Sequence, residues 1–112
     1  LDKMSQDALA DVRAHTSVIS AYANVKDAAG AQKRFEILVA HGLKPSTITF
    51  GALLKAYVNA KDVNGCKTLF QNMTEKFKME PNAAMMRNYS KLVGKDAAAE
   101  EFKAFTQNVE ES

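Results

Sequence analysis

The sequence predicts an all-α fold, a right-handed α-solenoid (α-α superhelix) of stacked helix-turn-helix hairpins. Three observations carry that expectation. The chain repeats itself: a shift of 35 places Tyr22 on Tyr57, Asn24 on Asn59, Lys26-Asp27 on Lys61-Asp62, Gly30 on Gly65 and Phe35 on Phe70. Each copy holds two apolar stripes at helical spacing, one on either side of its Lys-Asp pair. Each copy also ends on a proline, in Gly-Leu-Lys-Pro-Ser at 42–46 and Lys-Met-Glu-Pro-Asn at 78–82. A hairpin this short cannot bury its apolar face alone. Stacking on neighbours makes the core continuous.

In the first copy, Val18, Ile19 and Tyr22 mark one helix, and Ala28, Ala31, Phe35 and Leu38 mark a second. Asp27 stands between them, where its carboxylate caps the second helix. Gly42 supplies a left-handed stop, Pro45 prevents continuation, and Ser46 or Thr47 caps the next helix. That helix carries Phe50, Leu53, Leu54 and Tyr57 at i, i+3, i+4, i+7 spacing. After Asp62 the stripe Val63, Cys66, Phe70, Met73, Phe77 predicts one more helix. Pro45 and Pro81 are 36 apart, so the second copy holds one extra residue near its end.

The flanks read as partial units. Leu1–Met4 resembles the end of a second helix, and Asp11 stands where Ser46 and Asn82 stand, with Ala10 in place of the proline. Residues 83–112 hold two further helical stretches, broken near Gly94-Lys95-Asp96. The expected organisation is the end of a preceding repeat at 1–11, full repeats at 12–46 and 47–82, and a degenerate repeat or C-terminal capping hairpin at 83–112. A first residue that is not methionine suggests a processed start or a piece of a longer protein.

Composition narrows the function classes. One cysteine, Cys66, excludes an internal disulfide framework, and two histidines with one cysteine make no zinc spacing. No nucleophile is matched to a base and no glycine loop cradles phosphate, so neither enzyme activity, a cofactor nor a small-molecule substrate is expected. The apolar runs are too short to insert in a membrane. A net charge of +2 is too small to announce a nucleic-acid partner, although a local patch matters more than the total. Cys66, Met73, Met79, Met85 and Met86 read as core, Tyr22 and Tyr57 as inter-helix packing, and His15 as a partly buried structural histidine in the slot of Phe50. Lys33, Arg34, Lys67, Lys76 and Lys78 read as a solvated outer face.

The tetratricopeptide pattern wants a tryptophan, and this chain has none. The ending Gly-Leu-Lys-Pro-Ser, the start Thr-Phe-Gly-Ala-Leu-Leu and the centre Ala-Gln-Lys-Arg-Phe-Glu-Ile-Leu resemble instead the pentatricopeptide repeat. That resemblance implies an organellar protein, of mitochondrion or chloroplast, whose first helices bind single-stranded RNA, one base per repeat. It implies base-reading pairs at Thr16 with Ser46 and at Gly51 with Asn82. It places the residues that sandwich a base at Arg13 and Ile48, and at Ala84 in the third unit. Gly51 departs from the pattern, having no side chain to present, and Arg13 is not the usual aliphatic. Lys55, Arg87 and Lys91 on first helices are the candidate contacts to the RNA backbone.

Two function classes follow. One is a single-stranded RNA-binding segment acting in organellar RNA metabolism. The other is a non-catalytic scaffold subunit of a large organellar assembly, such as a mitochondrial ribosome, binding protein or RNA without reading bases. In a third reading these repeats are the specificity arm of an enzyme whose catalytic domain lies elsewhere.

Overall fold

The structure, a computed structural model, describes residues 6–100, with side chains from residue 10 onward. The expectations for Leu1–Met4 and for residues 101–112 fall outside the described residues. The described elements are helical throughout: α1 (Gln6–Asn24), α2 (Ala28–Ala40), α3 (Thr47–Asn59), α4 (Val63–Gln71), a π-helical turn (Asn72–Lys76) and α5 (Ala83–Val93). Residues 95–100 are helical again. The first helices α1, α3 and α5 pack side by side, and α2 and α4 form a second layer across them. The result is a slab of 41 × 36 × 18 Å.

The two hairpin turns are built alike. Lys26 and Lys61 adopt left-handed backbone at φ 62° and 59°. Asp27 N–H then bonds back to the Tyr22 carbonyl and Lys26 N–H to that of Ala23, and Asp62 and Lys61 repeat this with Tyr57 and Val58. These are Schellman closures with lysine where glycine is commonest. Each aspartate next caps the following helix, accepting from Gly30 N–H or Gly65 N–H at 2.9 Å. The glycines are required by a close approach. A Cβ at Gly30 would lie 2.6 Å from the Tyr22 ring, and one at Gly65 would lie 2.3 Å from the Tyr57 ring. The Lys-Asp pair and the Tyr-Gly pair therefore recur together because they form one turn.

The ends of the units also correspond. Gly42, at φ 77°, closes α2, with Leu43 N–H bonded to the Leu38 carbonyl. Pro45 and Pro81 are both buried. The extra residue of the second unit is absorbed by the π-helical turn. Phe77 N–H bonds to the Asn72 carbonyl and Met79 N–H to that of Met73, and Lys78 takes the left-handed conformation at φ 56°. Here the structure corrects the expected uninterrupted α-helix through Phe77. A widened turn takes up one residue while Met73 stays fully buried.

α1 also departs from the expected register. It runs unbroken through Asp11, which is a helical residue and not a cap. Alanine at position 10 retains the N–H and lacks the ring that stop the helix at Pro45. Gly94, at φ 96°, breaks the chain between α5 and the helical residues 95–100, as the sequence implies.

Three rings hold the central joint. Phe35 on α2, Phe50 on α3 and Phe77 after the π turn lie 5.2 to 6.1 Å apart. Phe70 and Tyr89 repeat an edge-on contact at 5.2 Å one unit later. Cys66 is fully buried in the core, and Met73 and Met85 join it. The N-terminal edge is built differently. His15 and His41 pair edge-on at 6.0 Å in the places that Phe50 and Phe77 hold one unit later. Arg34, in the place of Leu69, is half-buried with Nε unpartnered, so it is not a fully solvated charge. Tyr22 and Tyr57 pack between helices as expected, and the Tyr57 hydroxyl donates to Gln32 Oε1.

Candidate nucleic-acid interface

The candidate residues fall on the first-helix row and the turns that enter it. Arg13 is exposed on α1, and Arg87 and Lys91 are exposed on α5. Ala84, at the start of α5, is exposed as well. Ile48, in the first turn of α3, is 75% exposed, against a core in which Phe50, Leu53 and Leu54 are buried. Lys55 is exposed further along α3, and its ammonium donates to Asn24 Oδ1 at 3.2 Å. Gly51 lies between Ile48 and Lys55, and a Cβ built on it would meet nothing within 4 Å.

Ser46 and Asn82 are both N-caps. Ser46 Oγ accepts from Thr49 N–H at 3.3 Å, and Thr49 Oγ1 accepts from Ser46 N–H at 3.2 Å, a capping box closed by threonine. Asn82 Oδ1 accepts from Met85 N–H at 2.9 Å. Capping engages the oxygen of each side chain and leaves the Asn82 amide N–H groups to donate. Thr16 is half-buried on α1, and its hydroxyl donates to the Val12 carbonyl at 2.7 Å.

The structure brings one predicted pair together and leaves the other incomplete. Thr16 Oγ1 and Ser46 Oγ lie 2.9 Å and 3.2 Å from the same atom, the hydroxyl of fully buried Thr49. Gly51 has nothing to offer its partner Asn82. Thr49 was not among the residues singled out from the sequence. Its position three residues after Ser46 was the available signal, because the capping-box pattern ordinarily carries glutamate or glutamine there. Asn59 was marked in the sequence only as the repeat partner of Asn24. Its amide donates to the Ala23 carbonyl at 2.8 Å and ties the end of α1 to α3. Among the described residues no three His, Cys, Asp or Glu side chains converge as metal ligands, and no helix is long and apolar enough to cross a membrane.

The fold defines a segment of helical-repeat protein, hairpins stacked side by side in two layers of helices with the first helices forming one row. The pentatricopeptide repeat domain matches residues 1–60 and again residues 33–94, and the chain belongs to that family. A mitochondrial pentatricopeptide repeat-containing protein of Arabidopsis thaliana is 32% identical to it over 71 residues. The match covers 63% of this chain and 12% of that protein's length. No solved structure matches the chain.

Proposed function

We propose that the chain is a single-stranded RNA-binding segment of an organellar pentatricopeptide repeat protein, with repeats at 12–46 and 47–82, and that it binds without catalysing a reaction. The observation that carries this is Ile48. A branched aliphatic side chain is held 75% exposed on the first-helix row, beside the open space over Gly51, while its neighbours on α3 are buried. Such a side chain has no packing role in this fold, and it suits the face of a base. Arg13, Arg87 and Lys91 supply positive charge on the same row, and Lys55 adds to it once released from Asn24. The mitochondrial relative supports an organellar, mitochondrial setting.

A protein-binding role is favoured by a different observation. A crevice of 280 Å³ opens on the second-helix side between α2 and the π turn. Phe35, Val39 and Phe77 floor it, and Glu36 and Lys76 rim it. A scaffold subunit would present this face to a neighbour.

Binding of the chain to a pool of short single-stranded RNAs, at low and at physiological salt, decides between them. Selective binding that Thr16→Ala or Asn82→Ala weakens supports the RNA reading. Absence of binding even at low salt rejects it for this segment and leaves the scaffold role.

A further inference from the structure

We infer that the N-terminal face of the first hairpin, where His15, Arg34 and His41 stand in the places of apolar residues, is a docking surface for an amphipathic helix of a partner protein that presents a carboxylate to them. The inference goes beyond the RNA-binding reading and does not depend on it.

The second hairpin supplies the template. Its corresponding face receives α2. Phe35 of α2 meets Phe50 at 5.2 Å and Phe77 at 6.1 Å, and Gln32, one turn earlier, accepts from the Tyr57 hydroxyl. Leu53 and Leu69 complete the contact, lining one cavity with Gln32, Phe35, Phe50 and Tyr57. Repeat register puts His15, Val18, Tyr22, Arg34 and His41 in the places of Phe50, Leu53, Tyr57, Leu69 and Phe77. The first hairpin thus has a face of the same plan, with Val18 and Tyr22 kept at its centre and three nitrogen-bearing groups around them. Among the described residues, α1 packs on α2 and α3, and no helix covers this face as α2 covers the next. Val18 and Arg34 are accordingly half-buried where Leu53 and Leu69 are buried, and His41 is exposed.

The chemistry of the face names the partner. A ring in the place of Phe35 would desolvate the three polar side chains and pair none of them. His15 Nδ1 and Arg34 Nε are already buried without a partner. Burial first, then Arg34 and His41, holds the His15 pKa below its ordinary 6.5, and Asp11 opposes this. The local excess is positive, and a negative acceptor relieves it. The planar fork of Arg34 pairs with a carboxylate, and imidazole N–H groups donate to the same oxygens. A phosphate backbone would answer the charge but offers no apolar surface to Val18 and Tyr22. A helix offers both. Its signature follows from α2: Asp or Glu in the place of Phe35, Gln or Glu three residues earlier to accept from the Tyr22 hydroxyl, and apolar side chains on the same stripe.

Stapled helical peptides of the α2 sequence, Ala28–Ala40, are the probes, one with Phe35 kept, one with Phe35→Glu and one with Phe35→Gln. Fluorescence anisotropy measures their binding to the full chain at low and at physiological salt. The Phe35→Glu peptide should bind about tenfold tighter than the other two, and its advantage should shrink as salt rises. His15→Phe, Arg34→Leu and His41→Phe together rebuild the apolar joint of the second hairpin. That chain should prefer the Phe35 peptide and should bind RNA as the native chain does, so failure of the RNA reading leaves this test intact. Equal binding of the Phe35→Glu and Phe35→Gln peptides, or no binding of either at low salt, overturns the inference. So does an acid preference that survives the triple substitution. If the triple variant does not fold, Arg34→Leu alone, at a half-buried site, must reduce the preference severalfold, and an unchanged preference sinks the inference. Two further outcomes also overturn it. Self-association of the chain that the triple substitution abolishes makes the occupant a second copy, and loss of RNA binding in the triple variant makes it a phosphate backbone.

Discussion

His15 occupies in the first hairpin the place of Phe50 in the second, and its surroundings show what that exchange does. The ring is buried, and Nδ1 has no hydrogen-bond partner. Burial, with Arg34 and His41 nearby, lowers its pKa below the ordinary 6.5, and Asp11 opposes this only in part. The folded chain therefore binds a proton at His15 less readily than the unfolded chain does. As pH falls from neutrality through 6.5 toward the lowered value, the unfolded state takes up the proton first, and stability is lost across that window. His15→Phe should flatten this part of the stability profile and add about 1 kcal/mol at neutral pH by removing an unsatisfied buried nitrogen. Chemical denaturation at several pH values measures both, and a variant with the native slope below pH 6.5 would contradict the assignment. The sequence showed the slot through repeat register but not the missing partner, because satisfaction of a buried atom depends on which groups the other helices bring to it. Thr49 was hidden for the same reason. Its hydroxyl joins Ser46, which is local, to Thr16, 33 residues away.

Most of each helix was legible from its stripe and its caps. Asp27, Asp62, Gly42 and Ser46 act where the sequence placed them, because a capping bond lies within one turn of its residue. Two details were not legible. The π turn at Asn72–Lys76 shows in the sequence only as one surplus residue, and the fold decides where that residue goes. The continuation of α1 through Asp11 depended on a missing proline, whose effect repeat register alone could not show. The glycines give a prediction of opposite signs. Gly65→Ala drives a Cβ into the Tyr57 ring at 2.3 Å and should destabilise the chain by about 1–3 kcal/mol despite better helix propensity. Gly51→Ala meets open space within α3 and should stabilise it by about 0.5–1 kcal/mol. Thermal melts of the two variants check the pair, and shifts of the same sign would refute the geometry.

The described residues form a two-layer slab in which α3 touches α1, α2, α4 and α5. If RNA lies along the row of first helices, Lys55, Arg87 and Lys91 each neutralise a phosphate. The logarithm of the binding constant should then fall with the logarithm of salt concentration at a slope of about −2. Charge removal at Arg87 and Lys91 together should bring the slope to about −0.7 without changing which base is preferred. An unchanged slope would place the backbone contacts elsewhere. The sequence by itself determined the repeat, the helices, the turns and the all-α architecture. Those follow from short-range rules: apolar period, capping within one turn, and proline and glycine at fixed offsets. Tertiary structure decided how residues of separate helices share hydrogen bonds and space. It joined Thr16 and Ser46 through Thr49, held Ile48 in solvent, left His15 and Arg34 with unsatisfied nitrogens, and widened one turn so that Phe77 could meet Phe35 and Phe50. Hydrogen bonding and burial are properties of neighbours brought from far along the chain, and only the stacked hairpins bring them.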